Sequence, residues 1–223
     1  MSWLSKSLNS SIGKKIVMAA TGLSLVIFLS VHFINNMFLF VSENGEEFNT
    51  LVHSLDAVKP IVRVAELILV FLFGYHFFNA FRLWLEQRKA KSQKYAFDGN
   101  KEVTTFSSRT MPYTGGIIFV FLLIHLGTLW VKYNFGMGGE HNYYDVIAET
   151  FSSLPIAIFY VVVMITLGFH LWHGFQSAFQ TFGWHHKKYT PVVEFIGKLY
   201  AFVFAVGFSA IPIYFFIRSM GGN

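Results

Sequence analysis

The chain of 223 residues contains no cysteine. That excludes disulfides, cysteine-ligated iron–sulfur clusters and haem attachment through a C-x-x-C-H motif, and leaves the redox compartment open. Charge is scarce as well. Charged residues make up 13% of the chain and hydrophobic residues 54%, with a positive mean hydropathy. An ordinary soluble domain is excluded by that balance. Only five prolines occur. Pro60, Pro112 and Pro155 fall near the starts of apolar runs, where a missing N–H costs least. Pro212 falls near the end of the last run and is expected to kink it.

What is present is apolar sequence in bilayer-length runs. Five recur, at about 16–41, 61–85, 111–133, 154–182 and 192–217, each long enough to cross a membrane as a helix. The first is too long for a signal-peptide core. The expectation is an all-α, single-domain integral membrane bundle of five transmembrane helices. Residues 1–15 suggest a short interfacial helix. In the 42–60 connection, Phe48, Leu51, Val52, Leu55 and Val58 fall on helical spacing, as in a helix along the membrane surface. The net charge of +5 points to the membrane rather than to nucleic acid once it is mapped. Residues 1–15, 82–111 and 184–198 together hold 13 of the 17 Lys+Arg and 4 of the 12 Asp+Glu. The basic side is cytoplasmic, which places the N-terminus inside and the C-terminus outside.

The spans repeat. Gly74-Tyr75-His76-Phe77-Phe78-Asn79-Ala80-Phe81 recurs as Gly168-Phe169-His170-Leu171-Trp172-His173-Gly174-Phe175, and Phe28 to His32 recurs as Phe121 to His125. The offset is 93 to 94 residues, so one histidine stands at a matched place in each of four spans. His32 and His125 are each 9 residues from the outer ends of their spans, and His76 and His170 are each 15. At about 1.5 Å per residue the two pairs lie roughly 14 Å and 22 Å below the outer edge. A histidine inside a membrane segment is costly unless partnered or functional. One alone reads equally as a packing group bonding across the bundle. Four at matched depth fit two haems b stacked across the bilayer, each iron held by two imidazoles and closed to oxygen. The pairs are then His32 with His125 and His76 with His170. Gly74, Ala80, Gly168 and Gly174 are expected to let a flat macrocycle approach the backbone.

His173 lies on nearly the same face as His170, but it aligns with Asn79, which ligates no haem. It is therefore a candidate donor to a propionate or a quinone. His185 and His186, beside two lysines, read as a solvated turn. His53 and His141 fall outside the bilayer core, and His53 is the better functional candidate because Asp56 and Lys59 share its segment.

Together these features resemble the cytochrome b subunit of succinate:quinone oxidoreductases, in the single-chain, five-helix, two-haem form (b558 type) that also serves fumarate reductases. The matching pieces are Ser10-Ser11-Ile12-Gly13-Lys14-Lys15, His32 with Asn35-Asn36, Phe48-Asn49 with His53 and Asp56, and His76. Further on are Arg109 with Thr114-Gly115 ahead of His125, and Phe169-His170 with Gly174-Phe175, Ser177 and Phe179. The resemblance implies a respiratory complex II in a bacterial cytoplasmic membrane. His32 and His125 would hold the outer haem, His76 and His170 the inner one. A flavoprotein (FAD) subunit and an iron–sulfur subunit would dock on the cytoplasmic face, where the basic 82–111 loop offers a surface. Electrons would pass through the haems to or from menaquinone, and the dicarboxylate chemistry would sit on a partner subunit. Arg109 becomes a candidate propionate contact, and His53, Asp56, Lys59 and Glu66 become quinone candidates near the outer haem. Some fumarate-reducing relatives carry an acidic residue just before the fourth ligand, proposed as a proton route. Gly168 and Phe169 stand there in this chain, so the resemblance does not extend to that route.

Three other functions compete. A haem b subunit of a hydrogenase or formate dehydrogenase also uses intramembrane bis-His haems, but the five spans and one histidine per span favour the first reading. A membrane di-iron hydroxylase is suggested by His170-x-x-His173 and His185-His186, yet it needs more histidines clustered at the cytoplasmic rim. A cofactor-free carrier is disfavoured by the few charges within the spans.

Overall fold

The computed structural model describes residues 3–90, 106–135, 142–184 and 186–221. Residues 91–105 of the basic 82–111 stretch, the glycine-rich 136–139 loop, His141 and His185 lie outside them. Among the described residues all regular structure is helical. Trp3–Asn9 forms α1 and Ser11–Met37 forms α2, which runs on as a 3-10 turn through Phe38–Phe40. Glu46–Asp56 is α3, and Lys59–Ala90 is α4. The third long helix begins as α5, Phe106–His125, loosens into a π-helical turn at Leu126–Val131 and closes as α6, Lys132–Phe135. Tyr143–Phe151 is α7, Leu154–Thr181 is α8, and Thr190–Met220 is α9.

Five helices are long and apolar enough to cross a membrane: Ser11–Phe40, Lys59–Lys89, Arg109–Phe135, Leu154–Thr181 and Thr190–Met220. They coincide with the five runs expected from sequence, with shifts of a few residues at the ends, the second span running on to Lys89. The first span starts at Ser11 rather than Ile16, because the Ser10 side chain accepts the Gly13 N–H at 3.0 Å and caps the helix there. The interfacial helix is confined to α1, and Lys14 enters the bundle. In the third span the helix begins at Phe106, ahead of Pro112. Pro112 therefore lies inside the helix, six residues past its start, where it removes one i→i−4 hydrogen bond rather than an unpaired N–H. Pro155 does occupy the first turn of α8, and α9 runs through Pro212 as one unbroken helix.

The helices α2, α4, α5 and α8 close into a ring, α4 against α2 and α5, and α8 against α2 and α5. The fifth span, α9, packs outside this ring, mainly along α8. Its seam is built on small residues. A Cβ at Gly168 would meet Ala205 Cβ at 3.0 Å, and one at Gly197 would meet the Phe175 ring at 2.9 Å. Gly168 thus lets α9 lie close against α8. The same small-residue logic governs helix association in lipid, where burial of apolar surface gives little drive. On α4 the side chains of Ile61, Val64, Leu67, Phe71 and Phe78 stand exposed, a stripe that only lipid solvates favourably.

Two ties hold the ends. At the expected inner side, buried Lys14 places its ammonium 2.7 and 2.8 Å from the two Glu86 oxygens. Arg82 Nε lies 3.2 Å from the same carboxylate, and Asn79 Nδ2 donates to the Lys14 carbonyl at 3.0 Å. Asn79 thus ties α4 to α2. At the opposite end α3 packs on α7. Gly45, at φ 70°, lies flat against the Tyr144 ring, where any Cβ would collide. The Tyr144 hydroxyl donates to the Glu43 carbonyl and accepts from Arg218 of α9, both at 2.9 Å.

Candidate functional site

The repeat in the sequence is a repeat in space. His32 on α2 and His125 on α5 turn toward each other, with ring centroids 6.0 Å apart and planes at 86°. Each is flanked by the phenylalanine four residues earlier on its own helix: Phe28 at 5.5 Å from His32 and Phe121 at 5.4 Å from His125. Residues four apart share a helix face, so the matched Phe-x-x-x-His pattern sets each imidazole against a ring. Phe208 of α9 closes over His32 at 5.8 Å.

The second pair stands on α4 and α8. His76 Nδ1 lies 3.1 Å from the Thr21 hydroxyl of α2, and His170 Nδ1 lies 3.2 Å from the Thr114 hydroxyl of α5. His170 is within electrostatic reach of both His76 and His173. Beside each threonine is a glycine, and a Cβ at Gly22 or Gly115 would come within 3.3 Å of His76 Cε1 or 3.5 Å of His170 Cε1. Among the described glycines, these two are the ones set against the imidazoles. Gly74 has nothing near, and Gly174 has only the tip of Met111 at 4.0 Å. The expectation for Gly74, Ala80, Gly168 and Gly174 overlooked them.

Two neutral imidazoles facing each other between helices are a donor set that suits the opposite faces of one haem iron. Among the described residues no group of three or more His, Cys, Asp or Glu is placed to hold a metal ion. The histidines come in twos, which does not favour the clustered di-iron arrangement, although His185 lies outside the described residues.

The quinone candidates divide. His53, Asp56 and Lys59 form an exposed chain on the α3–α4 turn, with His53 3.6 Å and Lys59 3.4 Å from Asp56. Glu66 is half-buried and sits elsewhere. Its two oxygens meet Arg63 at 2.6 Å and the Trp130 indole N–H at 2.9 Å. Arg63 also donates to Asn134 and lies over the Trp130 ring at 5.5 Å. Trp130 is in the π-helical turn five residues beyond His125, so a single turn of backbone links this cluster to the histidine pair. π-turns of this kind are frequent at functional sites. Nearby, burial and the facing Tyr133 hydroxyl push the Tyr143 phenol above its usual range, so it stays a neutral donor. His173 is half-buried one turn beyond His170 on α8, and Arg109 is exposed at the N-terminal end of the third span.

Arg63, Trp130, Asn134, Tyr160, Thr21 and Gly22 escaped the sequence reading. One signal was available, since Thr21-Gly22 and Thr114-Gly115 repeat at the same offset of 93 residues. No curated protein and no solved structure matches the chain significantly. A family profile, described as the succinate dehydrogenase/fumarate reductase transmembrane subunit, matches residues 14–97 and 86–206. The match covers all four paired histidines and most of the chain, which belongs to that family of membrane subunits.

Proposed function

We propose that this membrane anchor is a two-haem cytochrome b that passes electrons between an iron–sulfur partner and menaquinone. The observation that carries the reading is the doubled histidine pair, His32 with His125 and His76 with His170, each pair built from equivalent places in the two halves of the ring. Haem b would supply a one-electron carrier at each pair. The residues supply the rest. The paired imidazoles would hold each iron and leave no place there for oxygen or substrate. Phe28, Phe121 and Phe208 keep the outer pair apolar and dry.

Glu66 with Arg63, Trp130 and Asn134 is the polar cluster best placed to receive a quinone. Quinone reduction consumes protons, and Glu66 is the carboxylate there to relay them, while Arg63 and the Trp130 N–H hold it in position. His53, Asp56 and Lys59 would form the exposed approach from the outer side. His173 and Arg109 remain propionate candidates for the inner haem. The basic inner rim is the docking face for the iron–sulfur subunit and, behind it, the flavoprotein that carries the dicarboxylate chemistry. The setting is a bacterial cytoplasmic membrane with the N-terminus inside.

The deciding measurement is pyridine haemochrome content per chain with a reduced-minus-oxidised spectrum. About two haems b per chain are expected, falling to about one in His76→Ala or His170→Ala. Absence of haem from the purified parent protein would return the histidines to helix packing. Loss of haem in His173→Ala but not in His170→Ala would reassign the fourth ligand.

A further inference from the structure

Thr21 and Thr114 stand in repeat-matched places, 93 residues apart, each with its hydroxyl on the Nδ1 of an inner-pair histidine. A threonine hydroxyl has one proton to donate and two lone pairs to accept with. In both places that proton already has a carbonyl to serve. Thr21 Oγ1 lies 2.8 Å from the Val17 carbonyl and 3.1 Å from that of Met18, and Thr114 Oγ1 lies 3.1 Å from that of Met111. With the proton committed to the helix backbone, the oxygen faces the imidazole as an acceptor. The hydrogen of the neutral ring must then sit on Nδ1, and the lone pair is left at Nε2. Gly22 and Gly115 leave the adjoining space free, so the ring rests beside the backbone without being pushed aside.

We propose that Thr21 and Thr114 are positioning residues that fix the Nδ1–H tautomer and the orientation of His76 and His170, so that both present Nε2 to the inner haem iron. The inference rests on the paired-histidine reading above. An imidazole that donates from Nδ1 is a more basic ligand through its other nitrogen. A stronger donor favours ferric iron, so the two threonines lower the midpoint potential of the inner haem. At the outer pair the corresponding contacts are looser. His125 Nδ1 lies 3.4 Å from the Tyr160 hydroxyl, and at His32 the Asn36 amide donates to the backbone carbonyl at 2.7 Å and lies 3.4 Å from Nε2, not Nδ1. The outer haem is therefore an internal reference.

The test is an optical redox titration of the assembled complex in membranes, on the parent and on Thr21→Val, Thr114→Val and the two serine variants. With haem content unchanged, each valine variant should raise one of the two midpoint potentials and leave the other in place, and serine should return it to the parent value. Haem lost from a valine variant but kept in its serine counterpart also supports the proposal, because serine restores only the hydroxyl. Potentials unmoved in both valine variants overturn it. Haem lost equally from valine and serine variants overturns it too, since side-chain shape rather than the hydroxyl then matters. A parent protein with no haem b overturns the paired-histidine reading itself, a result distinct from unmoved potentials.

Discussion

Glu66 keeps both carboxylate oxygens engaged, one by the Arg63 guanidinium and one by the Trp130 indole, from helices that meet only in the folded bundle. Glutamine preserves the shape and the acceptor oxygen but cannot relay a proton. In the assembled complex, Glu66→Gln should lower quinone-linked turnover by roughly 100-fold, the usual scale of a lost acid–base group. Dye-linked succinate oxidation and haem content should stay at parental values. Unchanged quinone turnover would move the proton route to the exposed His53–Asp56–Lys59 chain. Residue type explains why some of this was legible and some was not. A histidine in an apolar span is conspicuous, and four at one offset declare a pattern. Arg63, Trp130 and Asn134 carry no such mark, because Glu66 lies 64 residues from Trp130 and Arg63 lies 71 from Asn134. Their meaning arises only from the contact. Asn79 misled differently: as the place-holder for His173 it looked passive, yet it buries its amide on the Lys14 carbonyl.

At the scale of the element, the seam between α9 and the ring depends on residues without side chains. A Cβ at Gly207 would lie 2.4 and 2.5 Å from two atoms of the Phe33 ring, which is itself stacked at 4.5 Å on Phe204. Phe33 has no room to yield without leaving that stack. Gly207→Ala should therefore destabilise the bundle by about 1–3 kcal/mol, as overpacking does. A lowered melting temperature in detergent would register it, and an unchanged one would mean that α9 shifts freely along the ring. Existence and length of the spans were readable because twenty apolar residues in lipid can do little except form a helix. Their ends were less so. The first span begins at Ser11 through one capping hydroxyl at Ser10, and the third reaches back past Pro112 to Phe106. The π-helical turn at Leu126–Val131 leaves no trace in the apolar pattern, although it sets Thr128 toward Tyr160 and Trp130 toward Glu66.

For the whole molecule, five crossings would put the two chain ends on opposite sides, and the loop charges predict a cytoplasmic N-terminus. A reporter fused at the N-terminus should respond only from the cytoplasm, and one at the C-terminus only from outside; the reverse labelling would invert both candidate sites relative to the partners. The doubling of the bundle was legible as an offset of 93 to 94 residues, but its ring form was not, since an offset does not say which spans touch. The Tyr144 clasp carries a consequence for the order of events during synthesis. It joins Glu43 to Tyr144 across 101 residues and Tyr144 to Arg218 across a further 74. Contacts so distant along the chain form late. The clasp at the α3–α7 end is therefore complete only once α9, which carries Arg218, has been made.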